Sequence, residues 1–205
     1  MPIRLVGLLR GINVGKAKRV AMADLRALVS GLGYRDVTTL LNSGNVVFTH
    51  TRGPAGDTGS RLERAIATRL GVSCRVVVIT AAELAAVVAE NPLSAVATDP
   101  SRHLVAFMRN PSDRARLAAL AGESWHPEAL ALGARVAYVW SPAGVLEGKL
   151  PQVIGKILGE SVTVRNWATV MKIHALAATD PPASARAPSR GSQPKARSRQ
   201  ARRRR

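Results

Sequence analysis

The spacing of apolar residues predicts an α+β chain built from two β-α-β-β-α-β units in tandem. Three observations carry that prediction. Short apolar runs of strand length alternate with stretches in which apolar residues recur every three or four positions. Turn chemistry separates paired runs twice, at Asn42-Ser43-Gly44-Asn45 and about Gly133. The pattern ends at Thr179, beyond which no apolar period survives.

Residues 3–9 form the first apolar run, broken by Arg10-Gly11-Ile12-Asn13-Val14-Gly15 and the cations Lys16, Lys18 and Arg19. Apolar residues at 22, 25, 28, 29 and 32 set a helix that Gly33 is suited to end. Residues 37–41 and 46–48 read as a hairpin, and 50–59 as a Gly- and Pro-rich loop. Ser60 with Glu63 makes a capping-box pattern opening a helix to Gly71. Residues 76–79 are a fourth strand, and Thr80 with Glu83 is a second capping box for a helix stopped before Pro92. In the second half, residues 103–108 are a strand and Asn110-Pro111 start a helix running to about 121. Residues 129–132 and 135–140 make a hairpin, 149–158 a helix and 162–164 a short strand. Asn166 caps a last helix through 178. This order, stated twice, is the ferredoxin-like arrangement, or α/β plait. The expected organisation is a first unit over 1–98 with an added helix, a second over 99–178, and a disordered basic tail over 179–205. Pro, Ala, Ser and Arg dominate that tail, which has too little apolar surface to offset the entropy of ordering.

Of 205 residues, 46% are hydrophobic, enough for a proper core, but only 3% are aromatic, so few rings are available to stack on bases. The net charge is +17. Nine cations and one acid lie in the tail, leaving the body with a net +9, so both parts favour anionic partners, nucleic acid first. A single cysteine, Cys74, in an apolar run, excludes an internal disulfide and fits a reducing cytoplasm. No run approaches the ~20 apolar residues a bilayer requires, and Arg10 interrupts the N-terminal apolar stretch before it reaches export-signal length, so no membrane association is expected.

The loop after the first strand is the leading site candidate. Gly11 and Gly15 would let backbone N–H groups approach an oxyanion, a helix follows, and Lys16 with its neighbours supplies charge. The alternative is a sharp strand-to-helix turn with no ligand. Arg10, ending a buried strand, either pairs with a carboxylate or awaits an anion. Neither a Walker phosphate loop nor a dinucleotide G-x-G-x-x-G string is present. His50, His103, His126 and His174 are scattered without metal-ligand spacing, so no metal and no cofactor is expected, and no nucleophile or carboxylate pair stands out.

The strings LLRGINVG (8–15), LNSGNVVF (41–48) and VRNWATVMKIHALA (164–177) resemble the uncharacterised bacterial family known only as domain of unknown function number 1697. The resemblance spans residues 1–178 and implies a cytosolic fold of paired ferredoxin-like units with no settled activity. The chain departs from the family pattern at Lys16, Ala21 and Ala168, where the family carries glycine, proline and asparagine. In known ferredoxin-like sheets the first strand sits between the third and fourth. That would bring Arg10, Gly11, Asn13, Gly15 and Lys16 to one edge with Asn42, Ser43 and Asn45, although ordinary turn chemistry also accounts for the last three. A secondary cluster of Lys149, Arg165, Asn166 and Trp167 would gather in the second unit; its alternative is a helix cap, a packed indole and surface cations. The expected function is a binding module for a phosphate-bearing ligand, nucleic acid or another polyanion, without sequence-specific readout. The rival is an enzyme acting on a small phosphorylated or carboxylated metabolite between the two units.

Overall fold

The computed structural model of the chain describes residues 2–14, 19–51 and 57–179. Gly15, Lys16 and the expected tail from residue 180 onward lie outside them.

Strand β1 (Ile3–Arg10) explains the layering, because Leu5 to Leu9 are all buried. Side chains alternate across a sheet, so a run buried at both parities needs cover on both faces. On one face α1 (Met22–Gly31) and α2 (Thr58–Leu70) bring Leu25, Val29, Leu62 and Ile66 against Leu5, Leu9, Val46 and Phe48. On the other, Val6, Leu8, Val47 and Ile79 meet helices α3 (Ala81–Ala89) and α8 (Trp167–Ala178), together with Val105, Phe107, Val136 and Tyr138 of a second sheet. The far face of that second sheet packs Leu104, Ala106 and Val139 against Leu117, Leu150, Ile154 and Leu158. The result is helix, sheet, helix, sheet, helix. At about 1.5–3 kcal/mol for each fully buried large aliphatic or aromatic side chain, the shared middle core binds the halves firmly.

This is a mixed α+β protein with two four-stranded antiparallel sheets. The first runs β2 (Arg35–Leu40), β3 (Asn45–His50), β1, β4 (Arg75–Thr80); the second runs β6 (Ala129–Leu132), β7 (Val136–Trp140), β5 (His103–Met108), β8 (Val162–Asn166). Leu8 pairs with Asn45 and Arg10 with Arg75, so the end of β1 meets the starts of β3 and β4.

Four local expectations change. Ser60 and Glu63 are not a capping box: α2 starts at Thr58, without a side-chain cap, and Glu63 instead accepts the Val76 amide of β4 at 2.8 Å. The expected helix over 110–121 is two short ones, α4 (Asp113–Arg116) and α5 (Ala118–Ala121), broken at Leu117, whose amide reaches back to Arg114 rather than one residue further. A short α6 (Gly144–Glu147) precedes α7 (Lys149–Leu158). Strand β8 continues to Asn166, which puts Arg165 inside the sheet instead of beyond it. The Thr80 and Glu83 box does form, each side chain bonding the other's backbone amide.

Candidate functional site

Three polar assemblies stand out. The first is the edge where β1 ends. Asn13, at φ 56, accepts the Val20 amide at 2.8 Å and donates its side-chain amide to the carbonyls of Val20 and Asn42. It therefore ties the loop after β1 both to the start of α1 and to the hairpin turn. Asn tolerates that left-handed backbone because its short polar side chain bonds locally. Gly44, at φ 75, lies so close to Ile12 and Leu9 that an added Cβ would sit 2.7 Å from Ile12 Cδ1. Asn45 is fully buried and donates to the Leu40 carbonyl and Ser43 Oγ.

What fills this edge comes from the other half. Arg165 is 8% exposed and makes five hydrogen bonds: Nε to Asn45 Oδ1 at 2.6 Å, Nη1 to Thr163 Oγ1 and the Val164 carbonyl, and Nη2 to the carbonyls of Leu9 and Ser43. A guanidinium has five N–H donors, so every one is used, and every acceptor is neutral. Burial pulls its pKa down to about 10. Arg10 donates to the Val162 carbonyl at 2.6 Å, an acceptor that is neither a carboxylate nor a ligand. Arg10, Asn13, Asn42, Ser43 and Asn45 thus come together, with Gly11 exposed beside them; Arg10, Ser43 and Asn45 bond across the junction of the halves, while Asn13 and Asn42 tie the loop to the hairpin turn. Of the secondary cluster, Asn166 caps α8 by accepting the Thr169 amide, and Trp167 stacks on His103 with ring centroids 4.8 Å apart. Lys149 is not brought to them. It opens α7, which covers the outer face of the second sheet, whereas Arg165 faces inward.

The second assembly is a cleft of about 460 Å³ between the halves, lined by Ser60, Thr80, Glu83, Arg109, Asn110 and Arg135 among others. Arg109 is ion-paired to Glu63 and donates to Ser60 Oγ. Arg135 pairs with Glu83 at 2.8 Å and donates to the carbonyls of Val78 and Arg109. Burial alone would push the Glu83 carboxyl up, but hydrogen bonds from Thr80 and Arg135 outweigh it and hold it below the usual range. The cations and acids balance, so this cleft is an ionic seam.

The third is a cavity of about 520 Å³ lined by Ser30, Leu32, Gly33, Tyr34, Arg35, His50, Thr51 and Arg61. No carboxylate lines it, and neither Arg35 nor Arg61 joins an ion pair among the described residues. Arg61 lies 5.4 Å from the Tyr34 ring centroid and donates to the Leu32 carbonyl at 2.8 Å. The carbonyls ending α1 would repel an anion, and Arg61 takes up that of Leu32. Sequence reasoning missed these residues. The one available signal was the hairpin register, which pairs Arg35 with Thr49 and so brings the start of β2 beside His50. Among the described residues no group of three or more His, Cys, Asp or Glu gathers to hold a metal, and no helix is long and apolar enough to cross a membrane.

No functionally curated protein matches this chain. Among solved structures it is similar to a conserved bacterial protein, SP0830 from Streptococcus pneumoniae, at 24% identity and a TM-score of 0.70, covering 86% of this chain and 99% of that one. That likeness establishes the fold. The family described as protein of unknown function (DUF1697) matches residues 3–138, ending within β7 and short of Arg165. By that match over most of its length, the chain belongs to the DUF1697 family.

Proposed function

We propose that this protein binds a phosphate-bearing ligand, and that the ligand sits in the cavity walled by Tyr34, Arg35, His50 and Arg61. The observation that carries this reading is charge balance. Two guanidiniums outside any described ion pair, an imidazole and the hydroxyls of Ser30 and Thr51 surround about 520 Å³ with no carboxylate among the described residues of the wall. The cleft between the halves is the weaker candidate, since an anion there must displace Glu63 from Arg109 or Glu83 from Arg135. On the same footing each half is a ferredoxin-like unit, supported by the strand order second, third, first, fourth in both sheets, and the two stand in tandem as a rigid support. A cytoplasmic setting fits the single cysteine.

A nucleic acid is the second reading, favoured by the net charge of +17. One experiment separates site from charge: titration of the full chain with inorganic phosphate, followed by amide and imidazole NMR shifts, for wild type, Arg61→Met and Arg10→Met. Arg61→Met is expected to weaken binding at least about tenfold, the loss of one charge-assisted contact, while Arg10→Met leaves it unchanged. Equal binding by Arg61→Met and wild type removes the cavity from consideration.

A further inference from the structure

Resting on that reading, we propose that the cavity selects a small phosphomonoester with a hydroxylated body, in preference to a phosphodiester chain. Three observations point to the monoester. First, charge: Arg35 and Arg61 present two permanent cations and no acid lines the wall among the described residues, so a dianion is matched where a diester monoanion leaves one guanidinium uncompensated. Second, the wall offers no stacking platform. Tyr34 is 5% exposed, with Phe48 at 4.7 Å and His50 at 5.5 Å from its ring and the Arg61 guanidinium over it, so no face is left for a base. Proteins that hold single strands rely on such exposed rings, each worth about 1–3 kcal/mol per base. Third, the remaining polar groups are short and neutral: Ser30 and Thr51 are exposed hydroxyls, and the turn at Leu32 and Gly33 brings backbone to the rim. These suit the hydroxyls of a compact, sugar-like body.

The test compares two probes that share one hydroxylated body on the full chain at constant ionic strength: glycerol 3-phosphate as the monoester and its methyl ester as the diester. Single-stranded RNA without a terminal phosphate is a third arm. Binding is read from the His50 ring resonances and the backbone amides of residues 30–35. The expected result is at least a tenfold preference for the monoester, lost in Arg61→Met and in Arg35→Met, with RNA leaving the His50 resonances unmoved. Equal affinity for monoester and diester overturns the class while leaving the cavity an anion site. RNA shifting the same resonances, with Arg61→Met abolishing the shift, replaces the small ligand by a polymer. If no probe responds to Arg61→Met, the cavity itself fails and the class falls with it. Both arginines are exposed, and a retained dispersed amide spectrum in each variant separates loss of the site from loss of the fold.

Discussion

Replacing Arg165 by Met removes the guanidinium and keeps the aliphatic stem, which isolates the polar junction between the halves. Three buried acceptors lose their donor, Asn45 Oδ1, Thr163 Oγ1 and the Leu9 carbonyl; the Ser43 carbonyl belongs to an exposed residue and can rehydrate. Orphaned buried acceptors cost about 1–3 kcal/mol each, so at about 2 kcal/mol apiece the gross loss is about 6 kcal/mol. Against this, a buried cation with no carboxylate partner is relieved of its desolvation. A pKa drawn from 12.5 to about 10 corresponds to roughly 3 kcal/mol of that penalty. The expected net destabilisation is therefore about 3 kcal/mol, or roughly 6–12 °C in Tm for a chain of this size. Urea unfolding at pH 7, with Asn45→Ala and the double variant completing a cycle, measures it. Because Asn45→Ala removes one of the orphaned acceptors, the double variant should lose at least about 1 kcal/mol less than the sum of the singles. A single-variant effect below about 0.5 kcal/mol together with strict additivity would refute the assignment of Arg165 as the junction.

Two further outcomes follow from local geometry. His103 is 2% exposed, its Nε2 has no hydrogen-bond partner among the described residues, and burial holds its imidazole below the ordinary range. The unfolded chain takes up that proton near pH 6.5 and the folded chain only at lower pH, so stability falls as pH drops through and below 6.5. His103→Phe should flatten urea midpoints between pH 7 and 5 relative to wild type, and parallel profiles would contradict this. Gly44→Ala meets both a positive φ and an added Cβ 2.8 Å from Leu9 Cβ, so a loss of about 2 kcal/mol or more is expected in the same assay; an unchanged midpoint would mean the turn relaxes freely.

Where partners are close in sequence, the structure was legible in advance. Thr80 and Glu83 are three residues apart, Asn166 and Thr169 likewise, and both caps form as their spacing suggests. Ser60 and Glu63 have the same spacing, yet Glu63 turns to Val76 and Arg109, 13 and 46 residues away, because tertiary donors outcompete a local amide. The gathering of Arg10, Asn13, Asn42 and Asn45 at one edge follows from strand order. Their engagement by Arg165 does not, since 120 residues separate it from Asn45. Arg165 occupies a strand position alternating with Val162 and Val164, and such a pattern reads as the solvent side of a half-exposed sheet. Only the first half's presence on that side makes it interior. The Tyr34 cavity was illegible for a related reason: its arginines come from a strand start and a helix surface, each an ordinary place for a cation.

The middle core also sets an order of events during synthesis. Helix α8 lies between the two sheets and is the last of the described elements to leave the ribosome. Until it emerges, the inward face of the first sheet, with Val6, Leu8, Val47 and Ile79, has only α3 and the strands of the second sheet, as each is made, to cover it. Roughly a hundred residues separate β4 from the end of α8, which at 5–20 residues per second is about 5–20 s of translation. For that interval the nascent chain carries an apolar surface whose permanent cover is tethered to it but not yet made, and chaperone capture in that window is where folding of this protein is most exposed to failure.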